Sequence, residues 1–444
     1  MVNQSKKHVI IPYEIKKREL DSILFLARDL ISKNYIVYIS SKQRINSNLD
    51  YFPKSIILLK SLGPKNFTYL KKIKSLGHII SCLDVEGVNY LEKNKLKKRA
   101  SDENLNLVEY FFCWGKKMKK DMITLFPKFK EKFKLTGHPR IEILKKKNIR
   151  LYENESNKIK FKYNDFILFT TFFPTFNFFD STKNLTQLRI KFGNNTNIGK
   201  KLQLHQKKNF FYFIDLIKKI SKEFPNERLI VRPHPVENKN YWIDNFKNYK
   251  NVNVTLDDQS TCSWILSSKL LIGCNCTTLI EAYFLGKKRL NYMPYRDKSV
   301  HNELSRVCSE VIYNPMQVIN IIKKKKYKVN NLKRENFKKI SNIIYNNGHI
   351  NSNKQIIKYF DKIKLYSLPK KKAKINFFIK KVIRFFYLFF SKKFTSSKQN
   401  QIIFHKTGNT SLSEINEKFL RISNDKLNFK IEEVLPDIFK LKKR

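Results

Sequence analysis

The chain has 444 residues, enough for two or three domains of ordinary size and at least one sizeable core. With 41% hydrophobic and 14% aromatic residues, intrinsic disorder is excluded for the bulk of it. Lys and Arg number 90 against 37 Asp and Glu, a net charge of +53 that points to a polyanionic partner, an anionic membrane surface or compositional drift; the even scatter of Lys speaks for drift as much as for either partner.

In chain order, His8-Val9-Ile10-Ile11-Pro12 reads as a strand, and residues 18–32 place Leu20, Ile23, Leu24, Ala27, Leu30 and Ile31 on one helical face. Strands follow at 35–40, 55–59, 78–83, 109–114 and 133–136, with helical segments between them. The pattern lapses into a charged connection over 141–164. A second series then begins at 166–170, with a helix over 208–223 and strands at 228–232, 252–255, 269–273 and 288–292. Helices are expected after Ser260 and over 277–285. This alternation predicts an α/β protein of two doubly wound, Rossmann-like lobes with a cleft between them, and ligands beyond the carboxyl ends of the strands. The expected domains are 1–145, 146–365 with a helical end, and a basic aromatic tail over 366–444.

Between Asp361 and Glu414 there is no acid, against thirteen Lys or Arg. Within that stretch, residues 375–394 are dense in Phe but interrupted by Lys380, Lys381 and Arg384, which forbids a spanning helix. A basic aromatic helix in a membrane interface fits residues 370–394; a surface helix packing its Phe face on the body is the plainer alternative. The six cysteines show neither C-x-x-C spacing nor a zinc quartet and read as apolar core residues in a reducing compartment. The apolar run 9–12 is too short for a signal peptide, so a cytoplasmic location is expected.

Chemistry concentrates at strand ends. In Arg232-Pro233-His234-Pro235-Val236-Glu237 two prolines make a rigid turn, from which Arg232 and His234 suit a phosphate oxygen; tying a loop is their structural alternative. Gly273-Cys274-Asn275-Cys276-Thr277-Thr278 leads a strand into a helix, where backbone N–H groups and the two hydroxyls suit an anion. Glu281 there suits a sugar hydroxyl, or merely the helix dipole. Asp84-Val85-Glu86-Gly87 offers Asp84 or Glu86 as a general base, or an ordinary acidic turn. Glu14, Arg18, Glu19 and Asp21 crowd the start of the first helix, where the dipole alone accounts for Glu19 and Asp21. Gly137, His138 and Arg140 of Thr136-Gly137-His138-Pro139-Arg140 fall at the expected hinge. No Asp-x-Asp metal motif stands at a strand end, and Asp257-Asp258 reads as a turn.

Taken in order, the segment 12–21, the Glu86-Gly87 turn, Gly137-His138-Pro139-Arg140, Arg232-Pro233-His234-Pro235 and Thr277-Thr278-Leu279-Ile280-Glu281-Ala282 resemble the bacterial surface carbohydrate (polysaccharide) biosynthesis family over about the first 310 residues. That family is similar to GT-B glycosyltransferases, among them sialyl- and Kdo-transferases that use CMP-sugars. The resemblance implies His234 and Pro235 as a nucleotide-contacting His-Pro motif, Thr277 and Thr278 as the phosphate-holding pair, and an acidic base. Val85 stands where the pattern wants a carboxylate, which leaves Asp84, Glu86 or a residue of the first helix, Glu14 or Asp21. The resulting expectation is a metal-independent, cofactor-free transferase that moves a CMP-linked Kdo or other nonulosonic acid to a lipid-linked or polysaccharide acceptor, peripheral on the cytoplasmic face of the inner membrane. Its rivals are a CDP-glycerol-type glycerophosphotransferase, a catalytically inactive scaffold and, suggested by charge alone, a nucleic-acid-binding protein.

Overall fold

The computed structural model describes residues 6–85, 87, 93–178, 197–257, 259–329, 333–365, 410–423 and 428–444. Glu86, Asp258 and the aromatic stretch 370–394 lie outside the described residues. Contacts divide the chain into two units, Met1–Ile143 with Ser341–Arg444, and Leu144–Ile340.

The first unit opens with six parallel strands, β1 (His8–Tyr13), β2 (Ile36–Ser41), β3 (Ile56–Leu59), β4 (Ile79–Leu83), β5 (Val108–Cys113) and β6 (Phe133–Leu135), in the order β2-β1-β3-β4-β5-β6. Parallel strands covered on both faces carry continuous apolar runs, and Val9, Ile10, Ile56, Ile57 and Ile80 are all fully buried. The helix α1 (Lys16–Ser32) crosses between β1 and β2 and buries the 3.6-period face Leu20, Ile23, Leu24, Ala27, Leu30 and Ile31. It ends before Asn34, which takes a left-handed φ of 65°.

The second unit is a wholly parallel sheet of β7 (Phe166–Thr170), β8 (Arg228–Arg232), β9 (Val252–Val254), β10 (Leu270–Gly273), β11 (Arg289–Tyr292) and β12 (Glu310–Ile312), ordered β12-β11-β10-β7-β8-β9. Phe169, Phe210, Phe213 and Trp242 knit one face of this sheet to its helices.

The chain beyond residue 340 departs from the expected layout. The helix Ser352–Lys362 belongs to the first unit: the Asn353 side-chain amide donates to Phe25 O (3.2 Å) and to Asp29 Oδ2 (2.7 Å) on α1. The final residues are not a separate extension either. The helix Leu412–Ser423 packs on α1, and β13 (Phe429–Leu435) and β14 (Ile438–Lys443) form a hairpin whose second strand pairs antiparallel with β2, Phe439 opposite Ile39. The basic tail is therefore interrupted by a return to the first sheet, which closes the open edge of β2 and buries Ile438, Phe439 and Leu441. All six cysteines are buried and free. Among the described residues no helix is long and apolar enough to cross a membrane.

Candidate functional site

At the carboxyl edge of the second sheet, Gly273, Thr170 and Arg232 lie level in register on the neighbouring strands β10, β7 and β8. Side chains stitch the three following turns together. Thr171 Oγ1 accepts the His234 backbone N–H (3.1 Å) and donates to Glu237 Oε1 (2.9 Å). Glu237, fully buried, also accepts from Phe173 N–H (2.8 Å) and from Trp242 Nε1–H (2.9 Å). On the other side Thr278 Oγ1 meets Thr170 Oγ1 at 2.8 Å. The strand-end turns thus form one braced surface around Thr170 and Thr171.

His234 is half-buried, edge-on to Phe172 at 5.0 Å. Its Nδ1 accepts the Val236 N–H at 3.4 Å, which puts the ring proton on Nε2. Arg232 donates through Nη1 to Thr261 Oγ1 (2.8 Å) and through Nη2 to Gln259 O (2.9 Å), so it ties β8 to the loop before the helix Thr261–Ser267 while keeping its charge at the edge. Pro235 and Thr277 are exposed, and Thr277 makes no side-chain cap bond. Asn275 adopts φ 50° and is engaged structurally: its amide donates to Val300 O (3.1 Å) and accepts from Asn302 N–H (2.8 Å). Glu281 is buried in the helix Thr278–Phe284.

The carboxyl edge of the first sheet is different in kind. A small, mostly apolar cavity opens there, beside the start of α1 and the turn after β6. Glu19, buried, accepts the backbone N–H groups of Glu14 (2.8 Å) and Ile15 (3.2 Å) and pairs with the buried Lys60. That satisfies orphan donors at the helix start, as expected of an acid there. His138 caps the short helix Pro139–Glu142 through Nδ1, which accepts the Arg140 N–H at 3.0 Å, and its ring stacks on Trp114 at 4.0 Å. Gly137 has φ 74°, and a Cβ there would stand 2.3 Å from Asn346 Oδ1, so this turn requires glycine.

No protein-family model matches the chain, and no curated protein does either. Solved structures do resemble it. A UDP-GlcNAc 2-epimerase from Methanocaldococcus jannaschii is 12% identical with a TM-score of 0.52, over 81% of this chain and 100% of the epimerase. The same enzyme in complex with UDP-GlcNAc and UDP gives 11% and 0.51 over the same shares. A variant of the wall teichoic acid polymerase TagF is 12% identical with a TM-score of 0.51, over 81% of this chain and 90% of that one. The fold is GT-B.

Within this GT-B frame the carboxylates named from the sequence separate. Asp84 is wholly buried at the end of β4 and takes a 2.5 Å hydrogen bond from Arg99 Nε, while its carbonyl accepts from Trp114 Nε1–H. Asp21 lies on the face of α1 that meets the C-terminal helix and pairs with Lys418 Nζ at 2.7 Å. Each is held in an ion pair. Glu14 stays open to solvent, 2.9 Å from Lys42 Nζ. Partial burial would raise its carboxyl, but the Lys42 hydrogen bond and charge, with Lys60 and Arg18, hold it below the ordinary value. Sequence reading missed Thr170, Thr171 and Lys60; the only local signal for the threonines was a Thr pair directly after a strand. Among the described residues, no group of three His, Cys, Asp or Glu is placed to hold a metal ion.

Proposed function

We propose that the protein is a GT-B transferase that moves a group from a nucleotide-activated donor to a surface-glycan acceptor. The observation that carries this reading is the braced edge of the second unit, where β10, β7 and β8 end level and their turns present the His234 Nε2–H donor, the Thr277 hydroxyl and the Arg232 charge. Such an array suits a phosphate oxygen and the charge that develops on a departing nucleotide. The favoured donor is a CMP-linked acidic sugar. The acceptor oxygen attacks the anomeric carbon, the bond from that carbon to the phosphate oxygen breaks, and CMP leaves with the electron pair. The acceptor proton passes to a carboxylate of the first unit. Glu14 fits that role among the described candidates because it is accessible and ionised, and Glu86 shares the candidacy.

The likeness to a teichoic acid polymerase supports a second reading, a CDP-activated polyol donor, in which the acceptor oxygen attacks the β-phosphorus and CMP again departs. In both readings residues 370–394 bring the enzyme to an anionic membrane surface, where lipid-linked acceptors reside.

A thermal-shift series with CMP, CDP, UDP and GDP, followed by product analysis with CMP-sugar and CDP-polyol donors, tests this. A ligand present at 100 times its Kd stabilises the folded state by about 2.7 kcal/mol. Preference for CMP or CDP with transfer of the attached group supports the proposal. Binding without turnover would make the protein a scaffold, and a preference for UDP would move it towards the epimerase.

A further inference from the structure

The strand order of the second sheet reverses between β7 and β10: from β7 the chain runs outward through β8 and β9, then returns to the other side of β7 for β10, β11 and β12. Ligands of open parallel sheets lie at such a reversal, beyond the carboxyl ends of the strands. Directly past β7 stand two adjacent phenylalanines with opposite fates. Phe173 is 1% exposed and belongs to the core, whereas Phe172 is 39% exposed. A loose turn does not account for that exposure. On one side of Phe172 the Thr171 hydroxyl, and on the other the Phe173 N–H, donate to the same oxygen of the buried Glu237, at 2.9 and 2.8 Å. Farther along, Asn238 N–H donates to Asn177 O (3.1 Å) and the Asn177 amide to Asn238 O (3.2 Å). The backbone that carries Phe172 is thus pinned to the turn after β8. Its ring meets the His234 ring at 79° between planes, so the imidazole covers at most one of its faces. An aromatic ring held in place, yet part-exposed at a ligand position, suits a flat partner that stacks on it.

We infer that Phe172 is the platform on which the base of a bound nucleotide stacks. Naming the flat partner a nucleobase rests on the proposed transferase function. Spacing supports it: Phe172 is two residues past Thr170, at most about 7 Å along the chain, and Thr170 Oγ1 lies 2.8 Å from Thr278 Oγ1. With the phosphate at the neighbouring Thr277 hydroxyl, as the proposed function has it, a base on Phe172 is about a ribose away. Stacking on an aromatic face is indifferent to the hydrogen-bonding edge of the base. Phe172 therefore contributes affinity for nucleotides in general and leaves the choice among bases to other groups.

The test is calorimetric titration of the full chain with CMP, UDP, GDP and ribose 5-phosphate, the last of which keeps the sugar and phosphate and lacks the base. Phe172→Ala removes the ring, Phe172→Leu keeps an apolar cover for His234 without an aromatic face, and Phe172→Trp keeps the face. The expected result is that every nucleotide the wild type binds is weakened roughly tenfold or more in Phe172→Ala and Phe172→Leu and stays within about threefold in Phe172→Trp, while ribose 5-phosphate binds all four proteins alike. Phe172→Trp also reports the stack directly. Trp114, Trp242 and Trp264 are buried, so the introduced indole should lose fluorescence when a nucleotide binds and keep it with ribose 5-phosphate. Wild-type nucleotide affinity in Phe172→Ala overturns the platform. So does full affinity in Phe172→Leu or an equal loss for ribose 5-phosphate, either of which would make the ring a cover for His234. Nucleotide binding to Phe172→Trp with unchanged fluorescence overturns it as well. A wild type that binds no nucleotide sinks both the platform and the transferase reading. Group transfer with unaltered affinity in the variants sinks the platform alone, and the expected losses in a protein that transfers nothing sink the transferase reading alone.

Discussion

Burial pushes the Glu237 carboxyl up to about 7, although Phe173 N–H, Thr171 and Trp242 all donate to it. Because the folded pKa lies above the unfolded one, the folded state holds the extra proton, and stability falls as pH rises from about 4.5 through 7. The loss amounts to about 3 kcal/mol. Glu237→Gln does not titrate, so urea unfolding at pH 5 and pH 8 should show the wild type losing stability relative to the variant by about that amount; parallel behaviour would refute the assignment. Among the other acids, Asp84→Asn should destabilise by about 2–4 kcal/mol, since it strips the charge from a buried pair with Arg99. Glu14→Gln should leave stability within about 0.5 kcal/mol and slow turnover by about 10²–10⁴. A Glu14 variant with full turnover passes the role of base to Glu86. His234→Ala should cost roughly ten- to a hundredfold in nucleotide affinity by calorimetry. Arg232→Ala should cost stability as well, because Thr261 and Gln259 lose their donor.

The C-terminal hairpin is an element whose removal has a calculable effect. Ile438, Phe439 and Leu441 are fully buried against β2, and burial of each such side chain contributes about 1.5–3 kcal/mol. A chain ending at residue 409 also loses Ile415 and Phe419 from α1 and should show a denaturation midpoint far below that of the full chain, or no cooperative transition. Membrane docking by residues 370–394 therefore has to be tested without truncation. Replacing Lys380, Lys381 and Arg384 by Glu in the full chain should abolish co-sedimentation with anionic liposomes, since basic residues near such a surface contribute about 1 kcal/mol each. Undiminished co-sedimentation of that variant would remove the segment as the anchor.

At the scale of the molecule, the second unit is one continuous run inserted between two parts of the first. Unfolding followed by calorimetry should resolve into two transitions, of which CMP or CDP raises the one belonging to residues 144–340. Movement of the other transition alone would place the nucleotide on the first unit. The continuity of the second unit makes it the better candidate for independent folding; residues 1–143 alone lack the strand that covers β2.

Strands β1 to β11 and the buried face of α1 were legible in the sequence because they are local patterns: continuous apolar runs such as Phe166–Thr170 and a 3.6 period such as 20–31; the short edge strand β12 and the hairpin β13–β14 were not. The Pro-fixed turn after β8 was legible for the same reason. What the tertiary structure alone decided is which polar groups find one another. Asp21 meets Lys418, Tyr13 meets Thr410 at 2.9 Å and Asn346 meets His138, each across hundreds of residues. Asp84 looks like a base in a strand-end turn and is a buried partner of Arg99, while His138 looks like a hinge residue and is a buried helix cap stacked on Trp114. Local sequence sets backbone preference and apolar periodicity; burial and charge pairing, which decide whether an acid or an imidazole is an anchor or a site, depend on chain segments that only packing brings together.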